Sequence, residues 1–442
     1  LLAGAGMPAA ASTPRAADPL DFVPPPAPPL FSTALRLGDD EGWSFTPGGH
    51  AKTLFESYSN QNFGLAPVPD DTWLHQRIQA ALSLDWRDRF RWFTEFTWGE
   101  ITGKAEPLAP PDRDDPDLLQ LYLQGRLDVA ADHELVLRAG RQILYYGSGR
   151  LLAHREGANQ RLTHDAARLS WRTPGARWRV DALAASPVAV EPYAFDNSSA
   201  PDERLLWGVY AIGPSVRPGE GRGTDLYYLG VRLEDSLLAG RGETELRHTF
   251  GTRWWGRAAS WVWNSEAIFQ LGEVAGDDIV AGALSLGGGR VIGLGDTSVT
   301  LGFKGDVISG GDAGSGHTFN PLFQANNYFN EGGTVSPANL YNLNPYVSLG
   351  PLRRLSLTGG VNFLWRFDAD DFVYGPPFAR VAPPAPDGQT WLGTALNLSA
   401  SWTPHPSLTL AAGYTHHLAG DSLTAVGGRD VDYVQTSLRI EF

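Results

Sequence analysis

Cysteine is absent from this chain and methionine occurs once, so it can build no disulfide framework, thiol nucleophile or cysteine metal site. That absence permits an export route without requiring one. Nowhere do about 18 apolar residues run together, which excludes an α-helical membrane span. A barrel span stays open, because a transmembrane strand needs only about 9–11 residues with alternate ones apolar. Positive charge is scarce too: 35 Lys and Arg stand against 49 Asp and Glu, a formal net charge of −14. A broad basic face for nucleic acid is therefore not expected. Net charge does not fix the charge of a cavity, whose lining can carry one sign while exposed loops carry the other.

What the chain does have is 51 glycines, 32 prolines and 15 tryptophans. Its first residues, "LLAGAGMPAAAS", read as the tail of a secretory signal, with small residues after an apolar stretch. Residues 1–17 are taken as that signal remnant or a disordered tail. Residues 18–42, containing "DPLDFVPPPAPPLF", are taken as a proline-rich extended linker. Residues 43–442 are taken as one fold.

From about residue 43 one theme repeats: alternating apolar and polar residues, aromatics near the segment ends, and Gly, Pro, Asp or Asn clusters between segments. Leu119, Leu121, Leu123, Gly125, Leu127 and Val129 alternate with Gln120, Tyr122, Gln124, Arg126 and Asp128. "LHQRIQAALSLDW" and "LSLTGGVNFLWRF" repeat the pattern. About 18 such segments are expected, an all-β, single-chain transmembrane antiparallel barrel with short periplasmic turns and long extracellular loops. Short links fall at 86–89, 130–133, 173–176, 350–354 and 403–407. Long ones fall at 101–116, 145–160, 187–204, 309–343 and 368–388. Links near 213–223 and 287–296 look long for inner turns, and one near 273–277 looks short for an outer loop. A soluble β-sandwich also alternates. Against it stand the number of strands and the last segment, "DYVQTSLRIEF", whose Val434, Thr436, Leu438, Ile440 and Phe442 share one face. Such a strand needs a partner on both edges, which a closed ring supplies by pairing it with the first strand near 45–60.

Several stretches in order resemble the alginate export porins of Gram-negative outer membranes. They are "LRAGRQILYYGSGRLLAHREGANQRLTHDAARLSW" at 137–171, "DLYYLGVR" at 225–232, "RHTFGTRWWG" at 247–256, "NSEAIFQLGE" at 264–273, "HTFNPLFQANNYFNE" at 317–331 and "DVDYVQTSLRIEF" at 430–442. Gln324 stands where the pattern would have proline. The resemblance implies a monomeric outer-membrane barrel with a narrowed, Arg-rich lumen that passes an anionic polysaccharide, supplied by periplasmic export proteins. It implies neither catalysis nor a cofactor.

Strand parity places Lys52, Arg77, Arg126, Arg138, Arg168, Arg179, Arg232, Arg247, Arg366 and Arg439 on the lumen side. Asp85, Asp128, Asp181, Glu243, Glu245, Glu266 and Glu441 share it, so parity alone yields a mixed lining. The family pattern adds weight to Lys52, Arg77, Arg138, Arg141 and Arg168, with Glu156, Asp165 and Asp181 as carboxylates that orient them. Arg138 and Arg141 have opposite parity, so a bulge or strand end must separate them if both face inward. Arginine suits the task because its planar fork pairs with carboxylates and stays charged. For any one inward arginine the alternative is an ion pair bracing the wall.

In the long link 309–343, Phe319, Leu322, Phe323, Tyr328 and Phe329 are too apolar for a solvated loop. Packing against the rim is expected, and folding into the mouth is the alternative. The acidic run "DRDDPD" at 112–117 reads as a solvated tip, with loose divalent binding as the alternative. Uptake of anions or sugars competes with export. A barrel hydrolase using Ser148 with His154 or His164 is a further alternative. "GGGRVIGLGD" at 287–296 reads as a turn, and His416 and His417 point to opposite faces.

Overall fold

The computed structural model describes residues 35–37 and 42–442, except 67, 131–132, 174–177, 214–220, 240–241, 296, 314 and 353. The signal remnant at 1–17 and nearly all of the linker at 18–42 lie outside the described residues. Within the linker, Leu35–Leu37 pairs with the start of the first barrel strand, Leu35 opposite Phe45.

Eighteen strands form a closed antiparallel barrel, running from Trp43–Ser59 to Val431–Glu441. Each hydrogen-bonds to its sequence neighbours, and the first also pairs with the last, His50 opposite Glu441 and Ser59 opposite Asp432. Gly49 and Phe442 exchange backbone hydrogen bonds of 2.8 and 3.0 Å across this seam. No sheet edge is left, which a hydrocarbon environment demands. Among the described residues no helix is long and apolar enough to cross a membrane; the strands do so.

Alternation sets the two faces of the wall. In Asp71–Trp86, His75, Arg77 and Gln79 are buried inside while Ile78 is exposed outside. In Val431–Glu441, Val434 and Leu438 are exposed on the lipid side. Within Asp114–Ala130 one residue breaks the expected parity. Leu119 is buried, because the register beside it slips: Glu95 faces Gln120 but the next residue, Phe96, faces Leu118.

Links at the two ends differ as the sequence suggested. The outer link between Trp261–Val274 and Asp277–Leu294 is indeed tight, with Ala275 and Gly276 both at positive φ, 53° and 87°. The glycine run at 287–296 is not a turn. Residues 287–294 finish the strand Asp277–Leu294, which pairs onward with Thr297–Ile308. Three consecutive glycines carry no side chains to alternate, so the strand signal vanishes there without the strand ending.

The outer half of the barrel is filled. Leu144, Leu151 and Leu152 of link 143–163 pack with Phe319, Leu322 and Phe329 of link 309–339 in one core with wall residues Leu183, Leu206, Leu229 and Val231. The two links are stitched by Phe323 N–H to Leu151 O at 2.8 Å and Ala153 N–H to Phe323 O at 2.9 Å. The aromatic link therefore folds into the mouth and does not merely cover the rim. Link 366–390 and the short helix Asp421–Thr424 lie over this end, where Arg366 donates to Ser422 at 2.6 Å and to Asp371 O at 2.7 Å.

Candidate functional site

Three cations form one cross-strand row on the lumen wall. Lys52 faces Arg439 on one side and Arg77 on the other, and Arg77 in turn faces Gly99. Gly99 ends the cationic part of the row and admits the inward link. A Cβ there would come within 2.2 Å of the Gln160 side-chain nitrogen and 3.0 Å of that of Asn159. Asn159 donates to Asp112 O at 2.9 Å and to Glu100 O at 3.1 Å, Gln160 N–H donates to Pro111 O at 2.9 Å, and Thr97 donates to Gln160 Oε1 at 2.9 Å. Link 143–163 is thereby clamped across the wall.

That clamp delivers Glu156 to the row. Its carboxylate lies 2.5 Å from Arg77, 2.6 Å from Arg161, 3.4 Å from His154, 3.6 Å from Lys52 and 3.8 Å from Arg439. Arg77 is further held by the carbonyls of Ala158 and Asn159 at 3.2 and 3.1 Å. Burial alone would raise the Glu156 carboxyl, but Arg161 and Arg77, with His154 and Lys52, hold it well below the ordinary carboxylate range. Its side chain keeps 35 % of its exposure while that of Arg77 keeps 1 %. The anion is thus accessible, together with Arg439 at 32 %, while Arg77 is closed off.

A different row crosses the opposite wall. Asp225, Arg253, Glu266, Ser285 and Asp306 face one another in sequence across successive strands. Arg253 lies 2.9 Å from Asp225. Glu266 is bound at 2.5 Å by Arg150 and at 2.7 Å by the Tyr227 hydroxyl, and Asp306 accepts from the Tyr328 hydroxyl at 2.7 Å. Arg150 comes from link 143–163 and Tyr328 from link 309–339. Lys304 lies over the Tyr328 ring, 3.5 Å from its centroid. Link 143–163 therefore straps the lumen, giving a cation to the acidic wall and an anion to the basic one.

The remaining residues singled out from sequence fall into separate places. Arg138 and Arg168 are cross-strand neighbours, both buried. Arg138 holds Gln124 Oε1 at 2.8 and 2.5 Å and stacks over Tyr122, while Nε and one terminal nitrogen of Arg168 have no hydrogen-bond partner among the described residues. Asp181 accepts from Tyr146 at 2.8 Å and from Arg179 at 3.0 Å. Arg126 sits at the inner mouth in a network with Asp88, Asp128 and Glu134.

Arg141 does not face the lumen. It shares its face with exposed Leu137 and holds Asp165 with two bonds, 2.9 and 3.1 Å, so both are a rim brace. Arg366 is likewise a brace under the outer links. Arg232 is exposed and paired with Glu234, because its strand turns Leu229 and Val231 inward, and Glu243 is exposed in the link before its strand. Alternation misleads there because the filled outer half makes the inner face of the wall apolar. Ser148 donates to Glu266 at 3.3 Å and accepts from Arg150 at 3.0 Å, so its hydrogen bonds go to the acidic wall and not to a histidine. His416 pairs with Asp432 while His417 is buried, on opposite faces as expected.

The sequence profile described as alginate export matches residues 44–437, the barrel almost end to end. The chain belongs to the alginate export family. No curated protein sequence matches it significantly. Among solved structures, this family member resembles OccAB3 of Acinetobacter baumannii, with a TM-score of 0.60 at 9 % identity over 90 % of this chain and 99 % of that one. OccAB1 of the same organism gives 0.59 at 12 % identity, covering 90 % and 96 %. The outer membrane protein opdK of Pseudomonas aeruginosa gives 0.54 at 13 %, covering 90 % and 98 %. At such identities the likeness is one of fold. Family and fold together make the alginate export barrel an outer-membrane porin of the bacterial outer membrane.

Proposed function

We propose that this porin exports an anionic polysaccharide, a uronate chain of the alginate type, along its basic row. The observation behind this reading is the convergence of Lys52, Arg77, Arg161 and Arg439 on the single carboxylate of Glu156. A uronate offers one carboxylate per sugar, so each sugar in turn can take the place of Glu156 and return it. Arginine keeps its charge at every relevant pH, and sharing with a tethered anion keeps each contact weak enough to release. Arg138 and Arg168, both buried, add positive potential to the same lumen. Synthesis within the cell and delivery by periplasmic export proteins provide the drive. The barrel works as a monomer, without cofactor or catalysis.

The test is the reversal potential of purified protein in a planar bilayer under a salt gradient, repeated with oligouronate and with neutral glucan. Anion preference with block by oligouronate alone is the expected result. Cation preference, or equal block by both sugars, rejects the reading. Entry of small anions or sugars is the second reading, favoured by the filling of the outer half by links 143–163 and 309–339, which leaves less room for a polymer. Block by monomeric uronate as strong as by the oligomer would select it.

A further inference from the structure

We propose that Asp114, Asp117 and Asp196 form a divalent-cation site, of the oxygen-ligand type that calcium fills, pinning link 190–203 to the outer mouth of the barrel. The sequence run that holds the first two aspartates reads as a solvated tip, yet Asp114 is 1 % exposed and Asp117 is 2 % exposed. Each of the three aspartates offers an oxygen, and these oxygens lie within 4.8 Å of one another. None of the three has an ion-pair partner among the described residues. Cations on the neighbouring segments are committed elsewhere: Lys104 to Asp112 at 2.6 Å, Arg113 to Glu100 at 3.5 Å and Arg141 to Asp165 at 2.9 Å.

The hydrogen bonds leave specific oxygens open. Asn197 donates from its side chain to Asp114 Oδ2 at 2.9 Å and from its backbone to Asp117 Oδ2 at 3.0 Å, and Tyr193 N–H reaches Asp196 Oδ2 at 3.2 Å. Asp114 Oδ1 and Asp196 Oδ1 are both shielded from solvent and accept nothing among the described residues. An orphaned acceptor on a carboxylate this deeply buried, beside two more carboxylates, is relieved by a proton or by a cation, and only a cation relieves all three carboxylates together. Calcium accepts six to eight oxygens and tolerates irregular geometry, so three carboxylates with water complete its shell, whereas magnesium demands a stricter octahedron.

The site joins parts of the chain that are far apart, the start of the strand Asp114–Ala130 and the link beyond Ala189. Asp114 also faces Gly99, one strand beyond Arg77 on the basic row. A bound cation there would offset most of the negative charge at that end of the row. The inference stands whether or not the porin carries a polyuronate.

The experiment is calorimetric titration of CaCl₂ into the full chain, purified free of lipopolysaccharide, stripped with EDTA and shown to be folded by heat-modifiable gel mobility. One calcium per barrel is expected, with affinity weakened about tenfold or more in Asp114→Asn and in Asp196→Asn, and unchanged in Asp115→Asn. Calcium should also slow proteolytic cleavage within 190–203 in the wild-type chain but not in those two variants. Absence of saturable binding, or equal binding by both folded variants, overturns the site. Competition by magnesium at equal concentration overturns its assignment as a calcium-type site.

Discussion

On one wall of the lumen, three cations in a row and a fourth from a link share one carboxylate; on the other, three carboxylates in a row are each held by a buried partner. Arg150 and Glu266 keep 6 % and 4 % of their side-chain exposure, so that pair is closed to solvent. Glu156 keeps 35 %, facing the same fluid as any solute. The same link supplies both contacts. The difference teaches that ionic neutrality in this lumen is of two kinds, a fixed kind that holds the link in place and an exchangeable kind that leaves the basic row ready for another anion.

Breaking the fixed kind should have the largest effect. Glu266→Ala or Arg150→Ala strands a buried charge and should cost about 3–5 kcal/mol, read as a shift in urea unfolding of the barrel in detergent. A shift below about 1 kcal/mol, the scale of an exposed pair, would show that the two walls do not differ. Next comes Lys52→Glu combined with Arg439→Glu, the more exposed members of the row, which should leave the fold intact while lowering the anion-to-cation permeability ratio about tenfold or more. An unmoved reversal potential would make the row a brace like its opposite.

Glu156→Gln sharpens the comparison from the other side. It removes the exchangeable anion and should tighten oligouronate block about fivefold, roughly 1 kcal/mol, with a smaller loss of stability than Glu266→Ala. Looser block would mean that Glu156 positions the arginines for the substrate instead of competing with it. The smallest effect is that of pH. Because its pKa is depressed in the folded chain, the Glu156 contact is complete above the ordinary carboxylate range and is lost only as pH falls below that range. Single-channel conductance should therefore stay flat from about pH 5 to 4, across the ordinary carboxylate range. A step within that window would place an unshielded carboxyl in the path.

The barrel was readable because strands betray themselves by period: "LHQRIQAALSLDW" and the last eleven residues each name their inner and outer faces. Lys52, Arg77 and Arg439 followed from the same parity, and the family pattern supplied Glu156. Arg150 and Arg161 were missed, and Tyr328 was singled out only as an apolar loop residue, because links have no period, and a side chain delivered by a folded loop obeys no alternation. Asp225, Arg253, Lys304 and Asp306 sit on strands but left no signal strong enough to single them out, the acidic wall being legible only through Glu266. Arg232 was misplaced for the opposite reason, since Leu229 and Val231 are as apolar as any lipid-facing pair and yet point inward.

The seam between Trp43–Ser59 and Val431–Glu441 carries a temporal consequence. Every other strand in the ring pairs with a near neighbour along the chain, but here His50 must find Glu441. Joining such distant residues costs the most loop entropy, so this pairing forms last and sets the pace of assembly. Until it forms, the nascent sheet exposes two raw edges able to recruit other chains. The hazardous interval in the life of this porin is thus the wait for its first and last strands to meet, and any factor that shields those edges in the meantime acts on yield without touching the finished channel.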